Sequence, residues 1–134
     1  MKTNRILFTS GLLAAFTALV HTFSGTAEIQ QPLLTSSLAK PISLLLFACW
    51  HLVTITLILS AIALIWSALP NNKILAGALP VFVSVLWLFF GFIFIVVALV
   101  MSGVPALFVL PQWILLLPVG ILGLFGAQKQ FPQR

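Results

Sequence analysis

Aspartate and tyrosine are absent from this 134-residue chain, and Glu28 is its only acidic residue. No pair of carboxylates is available for general acid and base work, and the serine and cysteine triads, kinase loops and dinucleotide fingerprints have no counterpart, so most catalytic constellations cannot be assembled. Cys49 stands alone. It excludes an intrachain disulfide, a C-x-x-C-H haem attachment and a zinc cluster, and its place inside an apolar run reads as a small packing residue. Charge is equally scarce: 5% of the residues are charged and 62% are hydrophobic. A soluble domain carries roughly 25% charged residues, so this chain has too little polar surface to coat a water-soluble globule. Its solvent is expected to be lipid.

What is present are long apolar runs whose ends are marked by charge, proline, asparagine and glycine. Four spans are expected, at residues 6–23, 41–69, 74–101 and 111–127, forming one all-α domain over residues 1–134, a transmembrane four-helix bundle. Pro41 suits the first turn of the second span, which stops at Pro70-Asn71-Asn72-Lys73. That connection is short and predicts an antiparallel hairpin of the second and third spans. Pro80 lies near the start of the third span, where it can tighten or kink the helix. The fourth carries Pro118 and is shorter, so a kinked or re-entrant segment is an alternative there. The unbroken apolar runs lack the alternating period of barrel strands.

Lys2, Arg5, Lys73, Lys129 and Arg134 fall on one side of this topology; only Lys40 lies on the other, beside Glu28. The positive-inside rule then places both termini in the cytoplasm, which agrees with an even number of spans. Trp66 and Trp113 sit near segment ends on opposite sides, as interfacial anchors do. The net charge of +5 is scattered at these ends and forms no basic patch, so no nucleic-acid partner is implied and the lipid bilayer is the expected surroundings. A rival reading of the first segment is a signal peptide, since Lys2, Arg5 and an apolar run lead to Gly25-Thr26-Ala27 before Glu28.

Membrane helices approach closely through small side chains. Gly77, Ser84, Gly91 and Ala98 recur every seventh residue on the third span; Ser10, Ala14 and Ala18 form a stripe on the first, Cys49, Thr56 and Ala63, flanked by Val53, Ser60 and Ser67, on the second, and Gly120, Gly123 and Ala127 on the fourth. Their expected use is packing within the bundle, with a homo-oligomer surface as the alternative.

Candidate chemistry within the spans reduces to His21 and His51, with Glu28 in the loop between them. Polar groups at membrane depth are costly, and an unpartnered imidazole especially so. Both histidines fall in the outer half of adjacent antiparallel helices, so a shared small polar site with Glu28 above it is expected. Three readings of that site stay open: satisfied structural histidines, proton or ion handling, and ligation of a haem or metal by the two imidazoles.

The stretch His21-Thr-Phe-Ser-Gly-Thr-Ala-Glu28-Ile29, then Pro32, then Trp50-His51, resembles small four-span bacterial inner-membrane proteins of unknown function over roughly the first half of the chain. The resemblance implies a bacterial inner membrane and supplies no activity. Small multidrug exporters are similar in size, but their pattern needs an acidic residue within the first span, and Glu28 lies outside it. The expected function is a noncatalytic accessory or structural membrane component, alone, as a homo-oligomer or within a larger complex. The alternative is a small transport, proton-handling, or haem- or metal-binding protein using His21 and His51.

Overall fold

The computed structural model describes residues 3–70 and 77–129. Lys2, Lys73 and Arg134, the expected break at Asn71 and Asn72, and the expected start of the third span at residue 74 lie outside them. The described residues are helical and contain no strand, and three of the helices are long and apolar enough to cross a membrane.

Helix α1 (Arg5–Gly25) starts where the Asn4 side chain accepts the Leu7 N–H. It continues through a π-helical turn (Thr26–Gln30) into the short α2 (Gln31–Leu34). The first span, expected to stop at Phe23, runs on because no backbone breaker occurs before Pro32. The ring of Pro32 conflicts with a regular turn around the carbonyl of Glu28, and the wide turn immediately upstream relieves that conflict. Helix α3 (Lys40–Ala68) opens with Pro41 in its first turn and ends where Leu69, preceding Pro70, turns extended (ψ 148°). Helix α4 (Ala78–Ser102) carries Pro80 in its first turn and is stopped by Gly103, whose φ of +75° suits glycine. A one-turn α5 (Ala106–Val109) leads to α6 (Trp113–Gln128), which runs through Pro118 as one helix of 16 residues.

Helix α1 packs against both α3 and α6, and α6 also packs against α4. Contacts fix the directions. Asn4 meets Ala68 and Gly126, Gly11 meets Ile65, Ser84 meets Gly123, and Gly91 meets Leu117, so α1 is antiparallel to α3 and α6, and α4 to α6. Arg5 and Lys129 therefore share one end of the bundle, while Glu28 and Lys40 share the other. Helices α3 and α4, expected to pair as a hairpin, touch only lightly. The close approaches instead use glycine: a Cβ placed on Gly126 would stand 2.7 Å from the Leu7 backbone nitrogen, and one on Gly11 2.8 Å from that of Ile65.

Three stripes with alternating three- and four-residue spacing build the interior, the spacing of left-handed helix packing. On α1 it is Leu7, Gly11, Ala14, Ala18, His21 and Gly25. On α3 it is Ser43, Phe47, Trp50, Thr54, Leu57, Ala61, Leu64 and Ala68; on α4 it is Pro80, Ser84, Trp87, Gly91, Phe94 and Ala98. Trp87 is the largest fully buried side chain and belongs to the same apolar cluster as Ala14, Ala18 and Ala61. Cys49 is exposed, and Thr56 and Ala63 are only half-buried. The inward face of α3 thus runs through Leu57, Ser60, Ala61, Leu64, Ser67 and Ala68: of the expected stripe, the flanking Ser60 and Ser67 are buried, whereas Cys49, Thr56 and Ala63 lie to the side of that face.

Candidate functional site

His21 lies on the inward stripe of α1, four turns after Leu7, and α3 lays two residues of its own stripe against it. The imidazole stacks on the Trp50 ring, with centroids 4.0 Å apart and planes inclined by 17°. Its Nε2 is 3.1 Å from Thr54 Oγ1. Thr54 has one hydroxyl proton and donates it to the Trp50 carbonyl at 3.0 Å, one turn back in its own helix. With that proton committed, the Thr54 oxygen is an acceptor toward an Nε2–H of the neutral ring, and the Trp50 backbone is also a hydrogen-bond partner of His21. Gly25 completes the wall. A Cβ there would collide with the six-membered ring of Trp50, so only glycine lets the indole lie flat across α1 at this level.

His51 follows Trp50 directly, but a step of one residue turns a helical side chain by about 100°, off the inward stripe. It is exposed, and its ring meets Phe47 edge-on with centroids 4.6 Å apart. Within the described residues His51 makes no hydrogen bond. Glu28 is exposed on the π-helical turn and likewise makes no hydrogen bond or ion pair among the described residues. The three candidates are thus distributed over an inward face, an outward face and a helix end. His21 is joined by Trp50 and Thr54, and neither His51 nor Glu28 is among its partners. No group of three or more potential metal ligands is present among the described residues.

Of the expected packing residues, Ala14 and Ala18 on α1, Ser84, Gly91 and Ala98 on α4, and Gly120 and Gly123 on α6 are buried. Gly77 is not: it precedes α4, and a Cβ there would meet nothing within 4 Å. Gly123 is the junction of three helices. A Cβ there would run into Ser84 Oγ of α4 and stand 3.2 Å from Ser10 Oγ of α1. Ser10 donates to the Val119 carbonyl at 2.8 Å across the α1–α6 interface, while Ser84 bonds back to Pro80 at 2.6 Å. A hydroxyl that satisfies itself on a helix carbonyl can be buried at small cost, which is what lets serine act here as a small packing residue.

Trp50 and Thr54 as partners of His21, and Asn4 as the link at the other end, escape a reading based on titratable groups. The three-four stripe on α3 is the signal that selects them, because it includes positions 47, 50, 54 and 57 and skips 51. No family model, curated protein or solved structure matches the chain.

Proposed function

We propose that this chain is a noncatalytic component of a larger membrane assembly, a four-span bundle of the bacterial inner membrane with both ends in the cytoplasm. It engages its neighbour through the outward face of α3. The orientation draws on the basic residues gathered at the Arg5 and Lys129 end. For α6, the fourth span, the support is an uninterrupted apolar helix enclosed between α1 and α4.

The observation that carries the reading is His51. It stands on the twelfth residue of α3, exposed, on the least enclosed of the three long helices. An imidazole at that depth has one N–H and one lone pair to satisfy, and the edge of Phe47 matches neither. A helix presenting a hydroxyl, an amide or another imidazole does so. The competing reading, transport, proton handling or haem and metal binding through His21 and His51, needs both imidazoles at one site. The stacking of His21 inside the α1–α3 interface, with His51 on the outward face, supports the noncatalytic reading over it.

A benzophenone side chain introduced at Leu52, beside His51, tests this in native membranes. The proposal predicts protein adducts from Leu52 and lipid adducts alone from Phe89 on the outward face of α4. Lipid adducts alone at both positions would contradict it.

A further inference from the structure

The two connections at the Glu28 end of the bundle differ in kind. One, residues 35–39 between α2 and α3, begins Thr-Ser-Ser and is followed by Lys40. The other, between α4 and α6, lies in a stretch from Lys73 to Lys129 that holds no acidic, basic or histidine residue between those two lysines. We infer that this second connection, residues 103–112, is set into the boundary between lipid headgroups and acyl chains and is an anchoring surface for the bilayer. The inference rests on the membrane reading above.

Ala106 is buried, Leu107, Leu110 and Gln112 are half-buried, and Gln112 is the one polar side chain, its buried Oε1 without a partner among the described residues; the most exposed side chains are all apolar. Val104 is 64% exposed, Phe108 75% and Val109 76%, and they continue the exposed surface of Val100 and Met101 at the end of α4. A patch of this size in water would be a liability, whereas in continuity with the outward face of an apolar helix it is a lipid surface.

Helix lengths place it at the right level. Asn4 bonds to Gly126, so the start of α1 and the end of α6 are level. From there α1 rises for 21 residues and α6 for 16, about 32 Å against about 24 Å at 1.5 Å per residue. Trp113 therefore stops about 8 Å short of the end of α1, and α6 alone falls short of a hydrocarbon core of about 30 Å. The connection has to reach down to it.

Irregular backbone survives at such a depth only if its polar groups are satisfied internally. The N–H groups of Gly103, Ala106, Leu107, Phe108 and Leu110 donate to the carbonyls of Leu99, Gly103, Val104, Pro105 and Ala106, at 3.0 to 3.2 Å. Pro105 and Pro111 have no N–H to satisfy. Trp113 Nε1 donates back to the Leu107 carbonyl at 3.0 Å and clips α5 to the start of α6.

The test uses the full chain with Cys49→Ser and one bimane-labelled cysteine, in phosphatidylcholine vesicles. The positions are Phe108→Cys, Ser36→Cys and Leu59→Cys, with Val104→Cys as a second position should Phe108→Cys misfold. Quenching is measured with aqueous iodide and with a lipid carrying a nitroxide high on its acyl chain. The inference predicts that the label at 108 is quenched by the lipid nitroxide and several-fold less by iodide than the label at 36. Iodide quenching equal to that at 36 would overturn it in favour of water. Protection from both quenchers would overturn it in favour of a protein cover. Leu59, on the outward face of α3, separates the two levels: if the lipid nitroxide does not reach it, the membrane reading itself fails.

Discussion

Asn4 and Gly126 are 122 positions apart and share a hydrogen bond of 2.7 Å, the Asn4 amide donating to the Gly126 carbonyl. The same residue caps α1 through Oδ1, which accepts from Leu7 at 3.2 Å, and its backbone N–H donates to the Ala68 carbonyl at 3.0 Å. One asparagine thus joins the start of α1 to the ends of α3 and α6. Asn4→Ala removes a cap and an interhelical bond and is expected to lower stability by about 1–2 kcal/mol. Asn4→Asp should also destabilise, because a carboxylate has no proton to give the Gly126 carbonyl. Detergent-denaturation curves on the purified protein check this, and unchanged curves for both variants would refute the link.

Glycine positions should sort by what a methyl group meets. At Gly126 and Gly11 it meets backbone atoms of Leu7 and Ile65, which cannot move without separating the helices. Alanine at either is expected to cost about 1–3 kcal/mol. At Gly77 it meets nothing, and alanine there should change stability by less than about 0.5 kcal/mol. The same denaturation series would contradict the packing if Gly77→Ala proved the most damaging of the three.

The two histidines should differ in what they do for the isolated bundle. Thr54→Val keeps the side-chain volume but removes the oxygen that His21 uses, and is expected to cost about 0.6–1 kcal/mol, typical of membrane hydrogen bonds. His51→Leu should leave the stability of the detergent-purified monomer within about 0.5 kcal/mol of the parent. A larger loss from His51→Leu than from Thr54→Val would show that His51 belongs to the interior.

Much of this architecture is legible in the sequence, and the failures share a cause. Composition and run lengths point to the long apolar helices because burial of a charge-poor chain leaves few alternatives. Register is harder. In a helix that is apolar all round, hydrophobicity carries no phase, so Cys49 and Thr56 look as good a stripe as Trp50 and Leu57. The phase comes from size: small residues on α1 require large ones opposite. Chain adjacency also misleads, since α3 and α4 follow one another but α1 and α6 hold the glycines and serines that permit close approach. Finally, titratable residues draw attention to His51 and Glu28, whereas the partners of His21 are an indole and a hydroxyl that do not titrate in the physiological range.

Absorption spectra and metal analysis of detergent-purified protein bear on the cofactor alternative. The noncatalytic reading predicts no Soret band and no stoichiometric metal, including after incubation with haem. A Soret band lost in both His21→Gln and His51→Gln would establish the competing reading.

His21 and His51 serve different surfaces, one the α1–α3 interface and the other the exterior of the bundle. Paired cysteines in a Cys49→Ser background, treated in membranes with a short bifunctional thiol reagent, test it most directly. Efficient crosslinking within one chain is expected for the pair at positions 21 and 54, and little for the pair at 21 and 51. Efficient crosslinking of 21 to 51 without that of 21 to 54 would contradict it.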